Sequence, residues 1–364
     1  MYLDNAAATE PDPRVLRAMV RAARSYGNPS SFNDAGREAR TVLESARVDV
    51  ARFLNARPSE VIFCASGSEA NALALSWARE VLTQPTEHLS VLRTSGKRAR
   101  LVSVDGAGLV NPEDIAAAIR SSTTIVSVMY ANNEVGAIQP IKKISKVIRE
   151  YKRARRSPYP LFHVDACQAA PWMPMDVQAL GVDLLTLNGL KVHGPAGTAV
   201  LFARRGVRYG TRMGTENVAG AVGLATALKL IGTKDARRVG RLRRMLIERL
   251  PAAVPGVRIN GPTGESILPN IVNFSIPGIT SESLLLELDH RGIRAGAGSA
   301  CTAHRVEPSH VLKAMRVPRK FLSGVLRVSL SRNTTRSDIS RFLRELPKAV
   351  DSCYNRTRSH ESSP

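Results

Sequence analysis

The feature that most restricts how this chain can fold is the alternation of short apolar runs with longer stretches whose apolar residues recur every three or four positions. Val61-Ile62-Phe63, Ile125 to Met129, Leu161 to Val164, Leu184 to Leu187 and Thr198 to Phe202 have the length and composition of strands. Between them lie Asp34 to Phe53, with Val42, Ala46, Val50 and Phe53 on one helical face, and Ile141 to Tyr151, patterned the same way. Near-continuous apolar strands need cover on both faces, so this order predicts an α/β fold with a mainly parallel central sheet. No internal repeat is visible. Near residue 236 the pattern changes: a long basic helix leads to Pro251, Pro255 and Pro262, and a second set of elements starts at Ile271. The expectation is a large domain over residues 13–236 and a smaller α+β domain made of 1–12 and 237–364, and 364 residues are enough for two such units.

No apolar run approaches the roughly 20 residues a bilayer span needs, which excludes an integral helical membrane protein. The opening MYLDNAAATE has neither a basic nor an apolar leader region, so a cytoplasmic protein is expected. Four cysteines, Cys64, Cys167, Cys301 and Cys353, with no CxxC pair and no His/Cys cluster, argue against a disulfide scaffold and a zinc module. The charge is unusual: 52 Lys+Arg against 31 Asp+Glu give +21. Such a balance favours acidic partners, nucleic acid among them. Basic residues concentrate in Lys152-Arg153-Ala154-Arg155-Arg156 and from Arg237 to Arg249. The second run places Val239, Leu242, Leu246 and Leu250 at helical spacing, so its arginines read first as a solvated face. Aromatics make up only 5%, leaving few platforms for unpaired bases, and direct nucleic-acid binding is the less favoured reading.

Four constellations bear chemistry. In Phe63-Cys64-Ala65-Ser66-Gly67-Ser68-Glu69-Ala70-Asn71, Ser66 and Glu69 have capping-box spacing, presenting free N–H groups at a helix start that suit a phosphate; an ordinary capped helix explains the same residues. In His163-Val164-Asp165-Ala166-Cys167-Gln168, an aspartate ends an apolar strand at the edge where open α/β sheets bind ligands. It could hold a pyridinium nitrogen protonated, or simply cap the next helix. Lys191, in the glycine-rich turn Asn188-Gly189-Leu190-Lys191-Val192-His193-Gly194, emerges at that same edge, where desolvation favours condensation with a carbonyl compound; a solvated loop lysine is the plainer alternative. In Gly296-Ala297-Gly298-Ser299-Ala300-Cys301-Thr302-Ala303-His304, glycines precede a single cysteine, which suits a thiol that must visit a site and leave, although a free cysteine is more often a small core residue.

In this order the four constellations resemble the cysteine desulfurases of the class V aminotransferase group, enzymes that use pyridoxal phosphate. The resemblance runs from Tyr2-Leu3-Asp4-Asn5-Ala6-Ala7-Ala8-Thr9 and Gly27-Asn28-Pro29-Ser30-Ser31 to Arg327-Val328-Ser329-Leu330-Ser331-Arg332. The cysteine segment, followed by Glu307-Pro308-Ser309-His310-Val311-Leu312, is similar to the branch with a long cysteine loop. It implies a pyridoxal-phosphate transferase fold and conversion of L-cysteine to L-alanine, the sulfur passing to a persulfide on Cys301. It implies that Lys191 binds the cofactor covalently, that Asp165 pairs with the ring nitrogen and Gln168 with the ring hydroxyl, and that His88 stacks on the ring and moves protons. Asn133 would contact cofactor and substrate, Gly67, Ser68 and Asn188 would lie at the phosphate, and Arg327 would grip the substrate carboxylate. Thr215 would reach a phosphate across a homodimer. The sulfur acceptor would be a protein, either an iron-sulfur scaffold or a tRNA-thiolating enzyme.

Three stretches depart from the family pattern. Asn188-Gly189-Leu190-Lys191 stands where Ser-Gly-His-Lys is usual, a Gly-Gly-Gly-Gln-Glu segment before Arg212 is absent, and the chain between Trp77 and Thr86 is short enough to predict a lost or shortened edge strand. Another pyridoxal-phosphate lyase or aminotransferase, or a non-catalytic binding homologue, fits the same frame; Cys301 separates the first of these from a desulfurase.

Overall fold

The computed structural model describes residues 1–298 and 308–361. Ten strands are present among them: β1 Val61–Cys64, β2 Val81–Thr83, β3 Ala99–Leu101, β4 Ile125–Ser127, β5 Leu161–Asp165, β6 Leu184–Asn188, β7 Ala199–Ala203, β8 Arg258–Asn260, β9 Ile271–Ser275 and β10 Val325–Ser329. Seven form one sheet in the order β1-β7-β6-β5-β4-β2-β3, parallel except for β7, which runs against both neighbours. The expected α/β sheet is therefore present. β4 closes two residues before the expected Met129, yet Val128 and Tyr130 still donate their N–H groups to His163 and Asp165 carbonyls on β5, so the pairing continues past the regular strand. The short stretch after Trp77 does form a strand, β2; it has three residues and lies inside the sheet, with β3 as the edge. Pairing to β4 on one side and β3 on the other holds it despite its length.

The central strands are buried on both faces because alternate residues feed two apolar layers. Phe162, Val164, Leu185, Leu187, Val200 and Phe202 meet the helices Asp34–Leu54, Ile141–Arg155 and Val218–Lys229. Leu161, Leu184, Ala199 and Leu201 meet the helix Gly67–Leu75. The polar exception at the centre is His163, fixed by Ser127 Oγ at 2.8 Å and Thr186 Oγ1 at 3.1 Å; burial pushes its pKa down to about 4.

A second, antiparallel sheet, β10-β9-β8, packs with the helices Thr233–Ala253, Ser281–His290 and Arg336–Glu361 around Phe274, Leu246 and Phe342. The chain start joins it: Leu3 lies in this core, its N–H donating to Arg294 O at 2.7 Å and its carbonyl accepting from Ser329 N–H at 2.7 Å. Cys353 is part of the same core.

Candidate active site

Because β1, β2, β4, β5 and β6 point the same way, the residues that follow them gather at one sheet edge. Asp165, the last residue of β5, is buried there. Its Oδ2 accepts from Asn71 Nδ2 at 2.8 Å and its Oδ1 from the Cys167 N–H at 3.0 Å. The Asn71 amide also donates to Ser90 Oγ at 2.9 Å, and Ser90 Oγ lies 2.7 Å from His88 Nδ1. The Ser90 N–H donates to the same Nδ1 at 3.1 Å, so Nδ1 is an acceptor and the neutral ring keeps its proton on Nε2. An unbroken polar chain thus joins Asp165 to His88, although the two are 77 residues apart in sequence.

Lys191 ends the short turn Gly189–Lys191 after β6. Its ammonium donates to the Ala6 and Ala7 carbonyls at 2.8 and 2.6 Å, and Gln168 Nε2 shares the Ala6 carbonyl at 2.8 Å. The Cys167 thiol senses both charges: burial first and the Asp165 carboxylate second drive its pKa well above the usual thiol range, while Lys191 opposes them.

At the end of β1 the expected cap is made. Ser66 Oγ accepts from Glu69 N–H at 3.1 Å and Glu69 Oε2 reaches back to the Ala65 N–H at 2.6 Å. Gly67 is needed for close approach, since a Cβ there would lie 3.0 Å from Cys167 Sγ and 3.3 Å from Asn188 Nδ2. Ser68, beside it, is exposed. Asn188 Oδ1 caps the turn by accepting from Leu190 N–H at 3.0 Å, which leaves its Nδ2 toward the helix start. Leu190 adds no polar side chain; its carbonyl instead takes the Thr9 N–H and hydroxyl at 2.9 and 2.8 Å.

Arg327, on β10, is fully buried. Its Nη1 donates to Asn133 O at 2.9 Å and its Nη2 to Asp4 Oδ1 at 2.6 Å, while Nε has no hydrogen-bond partner. Gly296 pairs with it across an isolated bridge, and a Cβ at Gly296 would sit 2.7 Å from Asp4 Oδ1. Next to Asn133, Glu134 Oε2 accepts from Ser309 Oγ at 2.5 Å, and a Cβ on Gly298 would lie 3.3 Å from the same oxygen. Cys301 lies outside the described residues. Thr215 is exposed in a stretch without regular structure, its carbonyl accepting from Arg212 Nη2 at 3.2 Å, and no described bond joins it to the other candidates.

Several residues at this edge carry no role in the sequence reading. Asn71 stands inside the stretch that drew attention to Gly67, and Glu87 immediately precedes His88, so proximity in sequence was their only signal. Glu87 is fully buried, with Oε1 accepting from Gln84 Nε2 at 3.1 Å and Met129 N–H at 2.5 Å. Burial first and the Asp165 charge second push its pKa up to about 8. Asp4 and the Ala6 and Ala7 carbonyls come from the far end of the chain, in a stretch that carries the family resemblance but whose residues receive no role there.

The donor set fits pyridoxal phosphate: a buried carboxylate for a protonated ring nitrogen, a lysine for the carbonyl carbon, and a helix start with the Asn188 amide for the phosphate. Among the described residues no group of three or more His, Cys, Asp or Glu side chains could hold a metal ion, and no helix is long and apolar enough to cross a membrane.

Comparison with known proteins identifies the family. The family model described as Aminotransferase class-V matches residues 1–211 and 206–342. A cysteine desulfurase of Trichormus azollae is 38% identical over 379 residues, covering 96% of this chain and 93% of that protein. The cysteine desulfurase IscS of Dictyoglomus turgidum is 35% identical over 380 residues, covering 96% and 94%. Among solved structures, a NifS-like protein superposes with a TM-score of 0.87 at 32% identity, covering 97% of this chain and 99% of that one. With its sheet, its edge residues and these relatives in register over nearly its whole length, the chain belongs to the class-V aminotransferase family, among the cysteine desulfurases.

Proposed function

We propose that the chain converts L-cysteine to L-alanine with pyridoxal phosphate held by Lys191, and passes the sulfur by way of a persulfide on Cys301 to a protein acceptor for iron-sulfur cluster assembly or tRNA thiolation. The observation that carries this reading is the Asp165–Asn71–Ser90–His88 chain at the sheet edge where one thiol, Cys167, feels both Asp165 and Lys191. When bound, the cofactor supplies an electron sink for the carbon that loses sulfur. Asp165, held by two N–H donors, keeps the proton on the ring nitrogen. Gly67, Ser68 and Asn188 bind the phosphate, Gln168 orients the ring hydroxyl, and Asn133 orients cofactor and substrate. The His88 Nδ1 is occupied by Ser90, so proton movement falls to its Nε2, with Lys191 as the second carrier. Arg327 offers its unmatched Nε–H, and the planar fork around it, to the substrate carboxylate.

Three of the four cysteines are poor nucleophiles here. Burial pushes Cys64 up to about 12, Cys167 well above its normal range and Cys353 upward as well. Cys301 is left for the sulfur step. Its thiolate sulfur bonds to the substrate sulfur while the carbon–sulfur bond breaks, the electron pair staying on the carbon side, which takes up a proton on the way to alanine. We place this activity in the cytoplasm, in a homodimer whose Thr215 reaches the partner's phosphate site, with residues 13–236 as the cofactor domain and 1–12 plus 237–364 as the smaller one. The test is the absorption spectrum of the purified protein before and after L-cysteine, with alanine assayed as product. A chromophore that responds to L-cysteine and yields alanine is expected; protein that carries the cofactor yet forms no alanine would overturn the activity.

A further inference from the structure

The site just described uses little of the +21 net charge. The two basic helices spend their charge differently. In Thr233–Ala253, Arg238 donates to the Thr334 and Arg332 carbonyls and Arg243 Nε to Ile271 O at 2.8 Å, so part of that run fastens the fold. Its exposed Arg237, Arg241 and Arg244 are followed by an exposed Glu248. In Ile141–Arg155, Ile141, Ile144 and Ile148 face the core, while Lys142, Lys143, Lys146, Arg149, Arg153, Arg155 and the capping Arg156 are exposed. The only acid on that helix is Glu150, 3.9 Å from Lys146. Lys152 is paired with Asp183 at 3.3 Å, Lys142 acts on Asp176, and Arg155 lies over Tyr151. For Lys143, Arg149, Arg153 and Arg156 no side-chain hydrogen bond or ion pair is described.

Such a face is costly for a helix that needs only water. Like charges three and four residues apart repel, and solvated faces normally mix signs. Cations in the last turn complement the helix dipole, but Lys142 and Lys143 lie in the first turn, where the dipole disfavours them. Lys142, Lys146, Arg149 and Arg153 stand four, three and four residues apart, a straight ridge about 16 Å long at ~1.5 Å per residue. No large hydrophobic residue of this helix is exposed, so a protein partner would find no apolar anchor of the kind that centres a protein interface.

We propose that this ridge docks the phosphate backbone of a nucleic-acid duplex, a rod of regularly spaced negative charge that needs neither apolar anchors nor stacking aromatics. The probe is a labelled DNA duplex of about 20 base pairs, titrated between about 50 and 200 mM salt. Four neutralised phosphates give a slope of log affinity against log salt near −3.6, at about −0.9 for each. Replacing Lys146→Ala, Arg149→Ala and Arg153→Ala together should reduce the slope's magnitude by about 2.7 and leave turnover of L-cysteine unchanged. Replacing Arg237→Ala, Arg241→Ala and Arg244→Ala removes equal charge and should leave the slope as it was. The proposal fails if the parent does not bind the duplex at low salt, or if both triple variants weaken alike, which would make the charge diffuse. It fails also if poly-glutamate of matched charge displaces the duplex, which would assign the ridge to an acidic protein.

Discussion

Replacing Asn71 by alanine tests the polar chain at its centre. The side chain is buried, and its amide nitrogen is the group that joins Asp165, at 2.8 Å, to Ser90, at 2.9 Å. Its Oδ1 has no partner, so truncation orphans no donor; what is lost is the amide N–H shared by two acceptors. Asp165 would keep the Cys167 N–H and lose a charge-assisted bond worth about 1.5–3 kcal/mol. At about 1.36 kcal/mol per decade, that predicts a fall in kcat/KM of about ten- to a hundred-and-fifty-fold if the bond acts in the rate-determining step. The loss should appear in kcat, because Arg327 and its partners are untouched. The assay is alanine formation across a range of L-cysteine concentrations, with cofactor loading confirmed by absorbance. A loaded Asn71→Ala protein within about threefold of the parent would refute the relay.

The Cys301→Ser protein should keep the cofactor spectrum while production of alanine with a reductant collapses; parental turnover, or extra sulfur found by mass spectrometry on Cys64, Cys167 or Cys353, would contradict the assignment. For Arg327→Lys the KM for L-cysteine should rise by at least about tenfold, since a lysine cannot reproduce the planar fork between Asn133, Asp4 and substrate, and an unchanged KM would remove Arg327 from the substrate site. Glu87 holds its proton in the folded chain up to about pH 8, whereas an unfolded carboxyl titrates near ~4.3, so the folded state binds more protons between those values. Its contribution to stability is complete below the unfolded value and is lost as pH rises through about 8, so Glu87→Gln should lose less melting temperature than the parent between about pH 6 and pH 9; equal losses would refute this.

Five strands of the large sheet, β1 and β4 to β7, were legible because burial on both faces leaves an apolar signature, and the capping box at Ser66 and Glu69 because its bonds are local; the partly exposed edge strand β3 carries no such signature and was not legible. β2 was harder to read, since a three-residue strand flanked by neighbours owes its existence to pairing rather than to its own length. At the site, Asp165, Lys191 and Gly67, at or just after strand ends, could be placed from sequence. The groups that hold them could not. Asn71 is one amide in an alanine-rich helix, and Asp4, Ala6 and Ala7 act through contacts spanning more than half the chain. The basic run at residues 152–156 was visible, but only the structure joins its Arg153 to Lys142, Lys146 and Arg149 in one exposed ridge and separates that ridge from the arginines of Thr233–Ala253 that bind carbonyls.

Glu134 gives distant parts of the chain a common point of attachment. Its Oε2 accepts the Ser309 hydroxyl at 2.5 Å, and a Cβ on Gly298 would lie 3.3 Å from the same oxygen. Its backbone carbonyl accepts from Asn273 Nδ2 on β9 at 3.2 Å, and its N–H donates to Asn132 Oδ1 at 2.8 Å. One residue thus fastens the small sheet, and the turn before the helix His310–Ala314, to the loop that carries Asn133. Any change that displaces this carboxylate is felt at both sheets together, which makes the seam between them a single mechanical unit.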